Sequence, residues 1–290
     1  MSNTIELAKS FVPKLDECYR LASLTSVLDG APELAKQGAN ANELIIPMMS
    51  MDGLADYSRN GGYVQGGVTM TNETVKCNFD RGRRFDVDVM DDLETAGLAF
   101  GRLSAQFIRD KVVPELDAFR FASYCGISGV TKKEETLADG AATVAALSAA
   151  VTAMDDEEVT ATGRYLFITP TLLQGINDMD TTKSKKVLEG FEQVIKVPQR
   201  RFYTAIKQLS GKTGEEAGGY TKATGAANIN FAIVQKDALI QYTKHAAPKI
   251  IAPENNPDAD AYVFGYRMVG IAKACLLYTS PSPRDTERSR

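Results

Sequence analysis

The sequence predicts an α+β protein with a projecting β-hairpin, one long helix and a second region that mixes helices with short strands. Three observations predict this. Residues 43–90 have β texture around a glycine-rich excursion. Residues 92–124 place apolar side chains at steps of three and four. Residues 141–272 alternate an Ala-rich helical stretch with short β-branched and aromatic runs.

Residues 1–42 read as an N-terminal arm. Ile5, Ala8, Phe11, Val12 and Leu15 have helical spacing, Pro13 interrupts them, and Asp29-Gly30 marks a stop. The segment 44–50 (LIIPMMS) reads as a strand whose proline, Pro47, suits an edge position. Residues 51–70 are rich in glycine, with turn chemistry at Asn60-Gly61-Gly62. Val75, Cys77 and Phe79, then Phe85, Val87 and Val89, alternate as a returning strand. A long hairpin over 43–90 that leaves the body and comes back fits this best. A two-stranded ribbon buries little by itself, so its own chain is not expected to be its only partner.

Asp91 and Glu94 form a variant of the capping box, and Leu93, Ala96, Phe100, Leu103 and Phe107 then mark one face of a helix over about 92–124. Pro114 is expected to kink or break it. Residues 141–154 read as a buried Ala-rich helix. Residues 164–170 (RYLFITP) read as a buried strand, with Thr169 capping a new helix and Pro170 at its first position. Residues 196–206 are expected to be extended, 210–225 to be a loop or hairpin tip, and 229–235 to be a core strand. Asp237 is expected to start a short helix ending at His245, and 249–253 and 262–272 to be strands around the turn 255–260.

Composition closes most catalytic routes. The chain has 290 residues, 44% of them hydrophobic, which suffices for a large core. Its net charge of −4 argues against nucleic-acid binding by bulk positive charge. His245 is the only histidine, so a multi-histidine metal site within one chain is excluded. No two glycines stand two apart as a dinucleotide fingerprint requires, and Gly211-Lys212-Thr213 lacks the upstream glycine of a phosphate loop. Cys18, Cys77, Cys125 and Cys275 form no metal or redox motif, and with no signal peptide at the start they are expected to be free thiols in a reducing compartment. No apolar run is long enough for a membrane helix. The acidic run 155–158 and the pair Asp258 and Asp260 read as solvated loops; acid/base or metal chemistry is the alternative. No catalytic, cofactor or metal residue is assigned, and a non-enzyme is expected.

Six residues stand out as candidate contacts between subunits. Arg81, Arg83 and Arg84 form a compact arginine cluster, suited to a neighbour's carboxylates, to phosphate or merely to water. Tyr57, Arg59 and Tyr63 lie in the glycine-rich excursion and belong to residue types that favour interfaces.

The order of these segments resembles the major capsid proteins of tailed bacteriophages of the Hong Kong 97 fold, of the kind found in phages and prophages of gut bacteria. The resemblance spans about residues 2–274. It rests on 3–30, the hairpin at 43–90, 94–126, 164–170, 197–206 and 258–272 taken together, with no single diagnostic motif. It implies an arm at 1–42, an extended loop at 43–90 and a peripheral domain with a spine helix at 91–139. It further implies an axial domain at 140–245 and a return to the peripheral domain at 246–274. It implies a subunit that self-assembles through pentamers and hexamers into an icosahedral virion head, put together in the bacterial host cytoplasm. A scaffolding protein, a portal, decoration proteins and packaged double-stranded DNA bound without sequence preference would be its partners. An encapsulin-like nanocompartment shell is the alternative use of the same fold. A small-molecule enzyme using the 155–158 carboxylates is the alternative from a different class.

Residues 275–290 break the texture. One back-translation of CLLYTSPSPRD resembles the transposase end and adapter of a sequencing library, so this tail is expected to be non-native and the natural sequence to be cut near Ala274. A native disordered tail is the alternative.

Overall fold

The computed structural model describes residues 23–30, 36–37, 43–59, 61–90, 103, 105–127 and 130–274. Most of the predicted arm, the capping pair Asp91 and Glu94, the start of the long helix, Cys18, and the whole of 275–290 lie outside the described residues.

The described residues form eleven strands and four α-helices. Strand β1 is Lys36–Gln37. β2 (Glu43–Met51) and β3 (Val68–Lys76) form an antiparallel ribbon in unbroken register from Glu43 opposite Lys76 to Met51 opposite Val68. β4 (Phe79–Asp88) was expected in the same excursion. It pairs instead with β11 (Ala261–Ala274), from Phe79 opposite Gly270 to Asp88 opposite Ala261. The ladder of the projecting ribbon therefore ends at Lys76, and the chain enters a three-stranded antiparallel sheet in the order β10-β11-β4. Phe79, Phe85 and Val87 alternate toward that sheet's core.

The long helix is described from Ala105. Pro114 neither breaks nor ends it. Ile108–Val112 widens into a π turn, and helix α1 (Val113–Cys125) begins with the proline in its first turn. The widened turn accommodates the ring and the N–H that proline lacks. α1 is buried nearly all round. Val113 and Leu116 pack on Phe79, Phe264, Tyr266 and Met268 of the first sheet. Phe121 and Tyr124 pack with Leu28, Phe167, Ile195 and Phe202 on the second.

The second sheet, β6-β5-β9, places β5 (Arg164–Ile168) between a parallel neighbour, β6 (Gln193–Lys196), and an antiparallel one, β9 (Phe231–Gln235). Every residue of β5 is buried. Its other face is covered by α2 (Gly140–Asp156), α3 (Pro170–Asp178) and α4 (Thr182–Glu189). As expected, Thr169 is the N-cap residue of α3, with Pro170 in its first turn. α2 is buried along one stripe, Gly140, Thr143, Val144 and Leu147, rather than throughout, and Asp139 caps it by accepting from Ala142 N at 2.7 Å. A Cβ on Gly140 would lie 2.1 Å from the Gly175 carbonyl oxygen, so only glycine allows these helices to meet there.

Two other expectations need correction. The stretch 196–206 is not continuously extended: Pro198 starts a 3-10 turn over Gln199–Arg201 before β7 (Ile206–Gln208), which forms a hairpin with β8 (Tyr220–Lys222). The helix expected from Asp237 to His245 is absent. Lys236–Ala238 makes one 3-10 turn, and β10 (Leu239–Ile251) then runs extended against β11. His245 is a strand residue just past a bulge, opposite Val269. Twelve paired positions outweigh the weak local helix signal.

The elements converge on a buried polar hub. Asp117 of α1 has no exposure. Its carboxylate accepts from Ser23 Oγ (2.9 Å), Leu24 N (3.1 Å), Thr25 N (3.2 Å), Thr25 Oγ1 (2.7 Å) and Arg201 Nη1 (3.1 Å). One turn on, Arg120 donates to Thr25 Oγ1, Asp29 Oδ1 and Thr243 Oγ1. Gln241 donates to Thr25 O (2.6 Å) and Asp29 Oδ1 (2.7 Å), and it accepts from the Tyr124 hydroxyl. Burial pushes the Tyr124 phenol well above its ordinary pKa, so it remains the donor. Removing one member strands the others without water. Asp117→Ala is expected to lower stability by about 3–5 kcal/mol, read as a lower urea midpoint at unchanged slope.

Candidate assembly surface

Among the described residues, most of the exposed large apolar side chains lie on the β2–β3 ribbon and the excursion beyond it. At the base of the ribbon Val75 is buried against Ile271, with Cys77, Ile240 and Tyr242 around it. Strand alternation then fixes the faces. Positions 69, 71, 73 and 75 share the side that meets the body, and positions 68, 70, 72 and 74 share the other. That other side carries Met49, Met51, Val68 and Met70, with relative exposures of 52, 68, 68 and 64%. Met49 stands opposite Met70 and Met51 opposite Val68, so the four form one block. Beyond it, Leu54, Tyr57, Tyr63 and Val64 are also exposed. Burying each of these side chains is worth about 1.5–3 kcal/mol, a gain this chain leaves unclaimed. A cluster of this kind marks an interaction site.

The excursion beyond the ribbon has internal order. Asp52 closes its neck, donating from its amide to Gly67 O (3.2 Å) and accepting from Gly67 N on Oδ2 (2.7 Å). Ser58 and Gly62 exchange backbone bonds of 3.2 and 2.7 Å around the predicted turn. The rings of Tyr57 and Tyr63 meet across that turn with centroids 4.9 Å apart. Arg59 is exposed on the turn itself, and Asn60 lies outside the described residues. The structure thus brings three of the six predicted contact residues together on one exposed tip.

The other three separate by strand parity. Arg81 and Arg83 lie on the core-facing side of β4, with Phe79 and Phe85, and Arg84 lies on the opposite side. Arg81 reaches into its own chain: Nε donates to Glu115 Oε1 at 2.8 Å, and Nη2 donates to Leu209 O (2.7 Å) and Gly219 O (3.2 Å). Arg83 donates to Glu216 O at 2.8 Å. Gly211, with φ +73°, leaves room for the Arg83 guanidinium, since a Cβ there would lie 2.8 Å from its Nη1. These two arginines hold the β7–β8 hairpin against β4. Arg84 stays exposed and pairs with Asp86 at 2.8 Å.

One of the remaining polar candidates has a structural role. Asp155 of the acidic run forms a 2.7 Å ion pair with buried Arg164, which also donates to the carbonyls of Val159 and Thr160. Among the described residues no group of three His, Cys, Asp or Glu side chains could hold a metal ion. Burial raises the pKa of the Cys77 and Cys125 thiols, which disfavours the reactive thiolate. No described helix is long and apolar enough to cross a membrane. Glu115, Asp117 and Arg120 were missed at the level of sequence. Their signal was three charged residues on a helix whose other positions are mostly apolar.

No protein-family model and no curated protein matches the chain. Solved structures do. A structure from Mycobacterium phage Che8 superposes with a TM-score of 0.52 at 12% identity, covering 81% of each chain. A virus-like particle from Pyrococcus furiosus gives 0.54 at 10% identity, covering 92% of this chain and 94% of that one. The mature capsid of bacteriophage PhiM1 gives 0.50 at 9% identity, covering 81% and 79%. The chain has the Hong Kong 97-type capsid fold. At these identities the likeness is one of fold, so the capsid fold is here carried by a different sequence.

Two outcomes follow from the arginines and the loop they hold. Arg81→Ala is expected to cost about 1.5–3 kcal/mol, and Arg84→Ala less than about 0.5 kcal/mol, compared by urea denaturation. Glu215 accepts from Lys207 Nζ (2.6 Å) and Ser210 N (2.7 Å), which together hold its carboxyl down to a pKa of about 2. A depressed folded pKa stabilises above the ordinary value of 4.5 and is lost as pH falls through about 2. Protection of the Ser210 amide from hydrogen exchange should therefore persist at pH 5 and weaken only well below pH 4.5.

Proposed function

We propose that this chain is the major capsid protein of a tailed bacteriophage, self-assembling through pentamers and hexamers into the icosahedral head around its DNA. The observation that carries this is the exposed apolar face of the β2–β3 ribbon on a capsid fold: the chain offers surface that only another molecule can bury. In this reading the ribbon is the extended loop, predicted at 43–90 and laddered over Glu43–Lys76. The helix ending in α1 is the spine, and β10-β11-β4 forms the peripheral domain. The β6-β5-β9 sheet with α2–α4 forms the axial domain. The return begins within β10, which is one continuous strand across the predicted boundary at 245/246. Tyr57, Arg59 and Tyr63 are the contacts at the loop tip. The virion is the place of action and the bacterial cytoplasm the place of assembly. Scaffold, portal and decoration proteins are the further partners.

Electrostatics support a passive wall. The chain carries a net charge of −4, and Arg81 and Arg83 of the β4 arginine cluster donate to acceptors in their own chain. Such a surface binds DNA weakly, which suits a container that must be filled.

An encapsulin-like nanocompartment is the second reading, favoured by the 92% coverage of the Pyrococcus furiosus particle. For the enzyme reading of residues 155–158, one of the four carboxylates, Asp155, is already engaged by Arg164.

The test is sedimentation and negative-stain imaging of the purified chain. Rings or closed shells are expected, and a compact monomer at high concentration would overturn the proposal. DNA or an enclosed protein cargo in particles from the native source separates the two shell readings. Met51→Lys with Val68→Asp should abolish particles while leaving the thermal midpoint within about 2 °C, because both side chains are solvent-exposed in the free chain and the facing pair carries opposite charges.

A further inference from the structure

The β2–β3 ribbon has two edges of unequal character, and hydrogen-bond parity distinguishes them. The amide of Asp52 donates to Gly67 O, so positions 52 and 67 face each other as a hydrogen-bonded pair. In an antiparallel ladder such pairs alternate with pairs whose N–H and C=O groups point away from the partner strand. The register has no shift from one end of the ribbon to the other. Positions 45, 47, 49 and 51 of β2, and positions 68, 70, 72, 74 and 76 of β3, therefore direct their backbone groups outward.

On β2 that edge is blunted. Position 45 is where Lys36 of β1 pairs, and position 47 is Pro47, which has no N–H to offer. The edge of β3 keeps every donor and acceptor. Val68, Met70, Asn72, Thr74 and Lys76 are all exposed, and β3 ends its sheet among the described residues. An intact, unprotected edge is a template for another strand.

We propose that the outer edge of β3 pairs antiparallel with β3 of a second copy about a two-fold axis through Asn72, giving a four-stranded ribbon. The strand is suited to pair with itself. Its midpoint, position 72, is an outward position, so Asn72 meets Asn72 of the partner subunit, Met70 meets Thr74 of the partner subunit, and Val68 meets Lys76 of the partner subunit. Every outward group finds an outward group. No two like charges stand opposite each other, since position 73 meets position 71. The outward positions share the face of Met49, Met51, Val68 and Met70, so the apolar blocks of both copies lie on the same side of the joint ribbon. Isologous pairing of this kind supplies a two-fold contact, which an icosahedral shell contains between its rings. The inference rests on the assembly reading for the local concentration of copies, because one strand-to-strand contact is small on its own.

Cysteine placement tests it, with the unmodified chain setting the background from its own cysteines. Under mild oxidation of assembled particles, Asn72→Cys should give disulfide-linked dimers on a non-reducing gel. Facing Cα atoms in a hydrogen-bonded pair lie about 5.5 Å apart, within disulfide range. Met70→Cys alone should stay at background. Two copies of position 70 would lie about 14 Å apart along the strands, beyond disulfide reach. Mixing Met70→Cys with Thr74→Cys subunits should restore the cross-link. Particles with no Asn72→Cys cross-link, or with equal cross-linking at 70 and 72, overturn the β3 pairing and leave the shell reading standing. A 72–72 dimer without particles keeps the pairing and removes the shell. Neither dimer nor particles removes both.

Discussion

The structure depends on a charged residue that has no access to water. Asp117 sits on α1 at the point where the helix passes from one sheet to the other, and the segment 23–30, Arg201 and α1 meet on its two oxygens. A buried carboxylate is costly unless every lone pair is used. Once used, it permits only one arrangement, because no second placement offers the same five donors. The apolar clusters on either side of it could each tolerate some sliding, since Leu, Phe and Val contacts are not directional. The hub removes that freedom. Through Thr25, Arg120 and Gln241 it also fixes where the chain enters β10 and where 23–30 lies against α1.

That constraint reaches the projecting ribbon. β10 is set by Gln241 and Thr243, β11 by its long pairing with β10, and Ile271 of β11 is the surface on which Val75 rests. The ribbon thus leaves the body in a direction determined by a polar network elsewhere in the fold. A two-stranded ribbon has little stability of its own, so its presentation has to come from its base. In the proposed shell a contact surface must be aimed before the partner arrives, and here the aim is carried by β11.

What could be read in the sequence was whatever depends on near neighbours. The strand 164–168, the start at Thr169-Pro170, the turn at Gly61-Gly62 and the hairpin tip at 210–225 all follow from residues a few positions apart. β10 was misread because Gln241, Lys244 and His245 interrupt its alternation, and only β11, far along the chain, makes it a strand. Phe79–Asp88 has the right texture for a strand, but texture does not name a partner. The basic cluster was read as a unit because Arg81, Arg83 and Arg84 are adjacent in sequence. Alternation from Phe79 to Phe85 would have divided it, placing 81 and 83 on the core side and 84 on the other. The hub was illegible for a different reason: its bonds join residues about ninety to more than two hundred positions apart, and no local pattern encodes that.

The distribution of cations then says what kind of force is left for association. Arg81, Arg83, Arg120, Arg164, Arg201 and Arg267 all bind acceptors within their own chain. The Arg267–Asp80 fork, at 2.9 and 2.6 Å, holds the Asp80 carboxyl below its usual range and ties β11 to β4. What remains on the ribbon, apart from Arg59 at its tip, is mainly thioether, aliphatic and aromatic surface beside one intact strand edge. These forces differ in kind from ion pairing. Apolar contact is non-directional and weakly sensitive to salt, whereas edge pairing has a strict register. A subunit using the first for adhesion and the second for alignment would need little charge complementarity between copies beyond Arg59 at the loop tip. Its net negative charge could then keep the free form soluble without opposing the contact that joins one copy to the next.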